Sequence, residues 1–157
     1  MQVASWRGVY PGLIPADVID RLGVEHRIAQ WTAFFDRGRD REALLVAEHD
    51  REVVGMASLA TARDKDLEGA VGEVRALYVT PDHWDHGHGR DLIEAGEAWL
   101  GAHGFDTAIL WVLTANDQAR RFYEAVGWAR DGATKIEDLY GALLPHVRYE
   151  VNLSATV

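Results

Sequence analysis

Apolar residues change their spacing along the chain, and each change marks an element. After Pro15, which suits a first-turn position, Val18, Ile19 and Leu22 fall at helical spacing. Ile28, Trp31, Phe34 and Phe35 repeat that pattern, and Gly38 sits where a helix would stop. The runs Ala43-Leu44-Leu45-Val46-Ala47 and Val53 to Ala60 flank the polar link His49-Asp50-Arg51-Glu52, which predicts an antiparallel hairpin. Residues 63–69 are charged and read as a surface loop. Then comes a strand from Glu73 to Val79, stopped by Pro81. A helix begins near Gly87, with Leu92, Ile93, Gly96, Trp99 and Leu100 on one stripe. Ala108 to Leu113 is nearly all apolar, as in a strand covered on both faces. Ala119, Phe122, Tyr123 and Val126 mark a second helix, capped by Asn116 and ended by Gly127. Trp128 to Lys135 and Val147 to Leu153 read as two closing strands. No internal repeat or linker interrupts the series, so the pattern predicts one α/β domain over residues 1–157.

Composition narrows the possible functions. The 157 residues carry 16 Lys+Arg against 25 Asp+Glu, a formal net charge of −9, with 48% hydrophobic and 26% charged residues. Such a chain has enough apolar material for a core and is not a disordered one. Zero cysteines remove disulfides, thiolate metal ligands and a cysteine nucleophile. The acidic balance argues against nucleic acid as a partner. No apolar run reaches membrane-span length, and the start does not read as a signal peptide, so a cytoplasmic location is expected.

The loop Asp82-His83-Trp84-Asp85-His86-Gly87-His88-Gly89-Arg90 joins a buried strand to an amphipathic helix. Its two glycines permit a tight turn and close approach of a ligand to the backbone. The helix start adds unpaired N–H groups and positive potential, a combination that suits a diphosphate. A turn that merely redirects the chain would use the same glycines. Three of the seven histidines, His83, His86 and His88, lie here with two aspartates. Their spacing matches neither His-Glu-x-x-His nor a zinc finger, so no metal site is expected. The loop also lacks the Gly-Lys-Ser/Thr of a phosphate loop, which argues against a nucleotide-binding or kinase-type protein.

Two segments together resemble the GNAT superfamily of acyl-CoA-dependent N-acetyltransferases. One is Gly72-Glu73-Val74-Arg75-Ala76-Leu77-Tyr78-Val79-Thr80-Pro81 followed by Trp84-Asp85-His86-Gly87-His88-Gly89, similar to the family's strand and its Arg/Gln-x-x-Gly-x-Gly/Ala loop. The other, Leu110 to Trp128, is similar to the family's Asn-x-x-Ala-x-x-Phe-Tyr-x-x-x-Gly-Phe/Trp segment nearly position for position. The start, with Trp6-Arg7, Tyr10 and Gly12, and the close, with Val147-Arg148-Tyr149, also look like the family, so the resemblance covers almost the whole chain. Trp84 stands where the motif has Arg or Gln, Asp85 replaces a common glycine, and His88 a common Ile or Val. Asp85 puts a carboxylate beside the expected diphosphate. The chain starts inside what should be the family's first helix, so either its start is truncated or this version lacks the family's first strand. The resemblance therefore implies a mixed, mostly antiparallel sheet flanked by helices, without the first edge strand. An edge left open in this way favours a homodimer.

The resemblance implies acetyl-CoA as cosubstrate and an amine as acceptor. Glu73 would be the base that takes the amine proton, directly or through water. Its plain alternative is a strand carboxylate paired with Arg75 or another cation. Tyr123 would be the acid for the leaving thiolate; from periodicity alone it reads as a core aromatic. The cofactor would lie against Leu77, Tyr78 and Val79, with the Val79 N–H as oxyanion donor. Loop residues Trp84, Asp85, His86, Gly87, His88, Gly89 and Arg90 would hold its diphosphate. Asn116, Ala119, Phe122 and Tyr123 would complete the contact. Trp6, Tyr10, Trp31 and Tyr140 are aromatics that could line an acceptor groove or simply pack. Retaining both Glu73 and Tyr123 argues against the rival reading, a catalytically silent acyl-CoA sensor or interaction module.

Overall fold

A computed structural model describes residues 12–17 and 41–154. The helices expected between Val18 and Gly38, the aromatics Trp6, Tyr10 and Trp31, and the expectation about a first edge strand fall outside the described residues. Six strands form one sheet in the order β1-β2-β3-β4-β6-β5. They are β1 (Ala43–His49), β2 (Glu52–Thr61), β3 (Val71–Val79), β4 (Thr107–Leu113), β5 (Ala129–Leu139) and β6 (Ala142–Asn152). Helix α1 (His88–Ala102) joins β3 to β4, and α2 (Asp117–Ala125) joins β4 to β5. All neighbouring strands run antiparallel except β3 and β4.

The β1–β2 hairpin closes through Asp50 and Arg51, both left-handed (φ 49° and 67°). This two-residue turn has no glycine; its backbone twist matches the flanking strands and outweighs the steric cost of two side chains there. The closing strands are longer than the sequence pattern suggests, because residues 136–146 also pair across the Tyr140-Gly141 turn. Pro145 obscures this in the sequence. It lies just past the last β4–β6 rung, Leu113–His146, so its missing N–H costs no bond to β4.

Each sheet face carries its own apolar cluster. Leu59, Val74, Ile93, Leu100, Leu110, Val112 and Val147 belong to the larger one, with Phe122 and Tyr123 of α2 packed against it. Leu113 and Leu144 meet Ile14 in a smaller cluster, with Tyr78 against it. Val112 and Leu113 are consecutive, so the clusters lie on opposite faces. Val74 and Leu77 both pack on the helix side although they are an odd number of residues apart. A bulge makes this possible: Leu59 pairs with Val74 but Ser58 with Ala76, which leaves Arg75 as the extra residue.

The charged 63–69 loop is anchored as well as exposed. Arg148 of β6, buried at 5% exposure, reaches Asp64 and Asp66 at 2.8 Å each and also engages Asp131 of β5. The Trp111 indole N–H donates to the same Asp64 (3.0 Å). Arg148→Met should strip these aspartates of their shared cation and cost about 3 kcal/mol. The measurement is the urea unfolding midpoint.

Candidate active site

β3 and β4 pair over only three residues: Val71–Thr107, Gly72–Ala108 and Glu73–Ile109. Beyond that point no rung joins them, and a cavity of roughly 670 Å³ opens between residues 74–79 of β3 and 110–113 of β4. Its walls continue along the loop and the first turn of α1 and across one side of α2. The Thr80 N–H donates to the Val54 carbonyl (2.8 Å). Because an antiparallel ladder alternates, the main chain of Tyr78 is directed at β2, and that of Leu77 and Val79 at the fork.

At one end of the cavity, Gly87 takes the left-handed conformation (φ 87°) that caps α1. Gly89 has a different task. A Cβ there would lie 3.3 Å from Phe122, so glycine lets α2 approach the start of α1. The first-turn N–H groups have no partners within the helix, and the dipole adds positive potential. Trp84 substitutes for the motif's polar residue in a specific way: its indole N–H donates to the Val79 carbonyl (2.8 Å) and ties the loop to the end of β3. Asp85 is exposed and left-handed (φ 62°).

Tyr123 lines the cavity, half-buried, near Tyr78. Burial and then the Tyr78 phenol push its proton affinity well above that of a free phenol, so the hydroxyl stays protonated. Asn116 caps α2 by accepting from the Ala119 N–H (3.1 Å), and it also faces the cavity.

Of the residues expected to act, Leu77, Tyr78, Val79, Trp84, Asp85, Gly87, His88, Gly89, Arg90, Asn116, Ala119, Phe122 and Tyr123 share the cavity wall. His86 stands behind it, its ring 6.4 Å from that of His88. Glu73 is not in the wall. It sits at the crotch of the fork, 5% exposed, with Oε2 3.6 Å from Arg75 Nε and 3.8 Å from Arg63 Nε. Neither approach is a hydrogen bond, and Oε2 has no other partner among the described residues. Burial pushes its carboxyl above the ordinary range, against the pull of both arginines. Tyr140 is in the β5–β6 turn, away from the cavity. Sequence reasoning missed Arg75, Trp111 and His146, which also line the wall. Their signal lies in the strand pairing, which a linear pattern does not show. Among the described residues no three His, Asp or Glu side chains are arranged to hold a metal ion.

These features define an acyltransferase-type cleft between two parting strands, and comparison with known proteins gives its family. Residues 10–128 match the model described as the acetyltransferase (GNAT) family. The chain is 31% identical to an uncharacterized N-acetyltransferase of Bacillus subtilis, over 80% of this chain and 69% of that protein. It is 35% identical to a mycothiol acetyltransferase of Thermobispora bispora over 58% of this chain, but spans only 31% of that protein's length. A putative acetyltransferase from Salmonella typhimurium, solved with its cofactor acetyl-CoA, shares the fold (TM-score 0.67, 21% identity, 97% of this chain and 85% of that one). The chain belongs to the GNAT family of N-acetyltransferases.

Three substitutions test the loop and the cap. Asp85→Gly removes a carboxylate beside the start of α1 and a left-handed side chain. It should tighten CoA binding by roughly two- to fivefold in calorimetry. Asn116→Ala should lower stability by about 1 kcal/mol through loss of the cap, while Asn116→Asp keeps it. Thermal unfolding of the two variants separates these outcomes.

Proposed function

We propose that the chain is one N-acetyltransferase domain that transfers an acetyl group from acetyl-CoA to a primary amine, acting in the cytoplasm. The observation that carries this reading is a cavity with a glycine-opened helix start at one end and a half-buried phenol in its wall. The diphosphate lies against Gly87, Gly89 and the first turn of α1. The pantetheine arm runs beside the Leu77 and Val79 main chain, as an added strand would. Trp84 already occupies the Val79 carbonyl, so the arm's bonds fall to the Leu77 main chain.

The amine loses its proton toward Glu73 through water, and its nitrogen attacks the thioester carbonyl. The Val79 N–H receives the oxyanion. As the C–S bond breaks, Tyr123 donates its proton to the departing thiolate, and the second proton of the amine nitrogen passes through water to the resulting phenolate, leaving a neutral amide and a regenerated phenol. Glu73 suits the base because it is buried, is without a hydrogen bond at Oε2, and adjoins the first residues of the wall. His146 lines the cavity directly and is the competing base. Self-association through the β1 side of the sheet belongs to the same reading, and a monomeric mass by light scattering removes that part.

Acetyl-CoA turnover against an amine panel, read by thiol release, is the primary test. Tight CoA binding with no thiol release would instead support the silent sensor. Tyr123→Phe should lower kcat by roughly 10- to 100-fold with little change in KM for acetyl-CoA. A base must be ionised, and burial raises the Glu73 carboxyl. The rate should therefore fall as pH drops through a limb above the ordinary carboxylate value of about 4.3. Glu73→Gln should abolish that limb and His146→Gln should leave it; the reverse result transfers the role to His146.

A further inference from the structure

Four of the seven histidines gather at the diphosphate end of the cavity, and the proposed acyl-transfer steps use no imidazole of the four. His49 ends β1, His83 closes the turn Pro81–His83, His86 lies in the loop and His88 opens α1. The His49 ring centroid is 5.2 Å from that of His83 and 5.7 Å from that of His88. His83 is 6.1 Å from His88 and 6.2 Å from His86. His83 and His88 also line the cavity. The Nε2 of His88 is buried without a hydrogen-bond partner among the described residues. The His83 Nδ1 lies 3.0 Å from Thr80 Oγ1, which orients that ring.

The fixed charges nearby do not favour a polyanion. Asp82, Asp85 and Asp91 lie along the loop and the start of α1, and Asp50 is 3.5 Å from His49 Nε2. Arg51 and Glu52 adjoin that hairpin turn, and Arg121 lines the wall from α2. Arg90 is 3.6 Å from Glu94. No lysine occurs between Lys65 and Lys135. The imidazoles are therefore the groups that can add charge at this end of the cavity when an anion arrives.

We propose that His49, His83, His86 and His88 form a proton-dependent subsite for the phosphate groups of the CoA cosubstrate. A diphosphate seated beside four clustered imidazoles favours their charged, protonated forms. Binding draws a proton onto the cluster, so affinity is greatest below the histidine range and declines as pH rises through it. The subsite rests on the acetyl-CoA reading above.

The test is calorimetric titration of the full chain with dephospho-CoA, which lacks the phosphomonoester whose own proton leaves near about pH 6. Runs at about pH 6 and about pH 8, with a chelator present, are repeated in two buffers of different ionisation heat. Binding should be roughly five- to twentyfold tighter at the lower pH, with net proton uptake at neutrality. Combined replacement of His49, His83 and His88 by Gln should flatten both effects. His49→Gln alone, at an exposed position outside the wall, should reduce them. Equal affinity at both pH values without proton uptake overturns the subsite and leaves the cofactor reading intact. Unchanged uptake in the combined variant also overturns it. Absence of binding at either pH overturns the acetyl-CoA reading, and the subsite with it.

Discussion

The site depends on β3 and β4 parting after three shared rungs. Two parallel strands that stayed paired would spend their main-chain groups on each other and leave no slot. Once they diverge, the Leu77 main chain is directed at the fork, and the Val79 carbonyl is taken up by the Trp84 indole. The bulge at Arg75 belongs to the same constraint. It lets Val74 and Leu77 both face the helices, so the apolar core stays continuous beneath the wall while the strand changes course.

An acidic molecule that holds a polyanion must rely on local geometry rather than net charge. Screening over about 8–10 Å at physiological salt uncouples the distant carboxylates from the loop. What remains is the start of α1, where Gly87 supplies the conformation and Gly89 the space for Phe122. The two glycines of one motif therefore serve separate physical needs. Trp84 shows how a departure from the family pattern is accommodated: its indole contributes a tether to β3 that fixes the cradle relative to the fork.

The opposite face carries a different economy of charge. Arg148, almost fully buried, gathers aspartates from the β2–β3 loop and from β5. That loop also brings Arg63 to Glu73. The environment of the crotch carboxylate is thus set partly by a surface loop that Arg148 holds on the same face of the sheet. Burial and two unbonded arginines pull Glu73 in opposite directions, and burial prevails.

The sequence by itself determined the order of the described elements, the caps and the glycine loop that opens α1. Each rests on local rules: apolar spacing, a side chain capping its own helix, glycine at positive φ. Asn116, Gly87 and Gly127 were legible for that reason. The hairpin strands around Tyr140 were not, because the pattern there is weak and Pro145 argues against a strand until the end of β4 is known. Tertiary structure alone decided that β3 and β4 part, that Arg75, Trp111 and His146 join the wall, and that His49 meets histidines more than thirty residues away. These outcomes depend on register and on packing between distant segments. A one-residue change of register turns every side chain of a strand to the other face, and no local pattern records it.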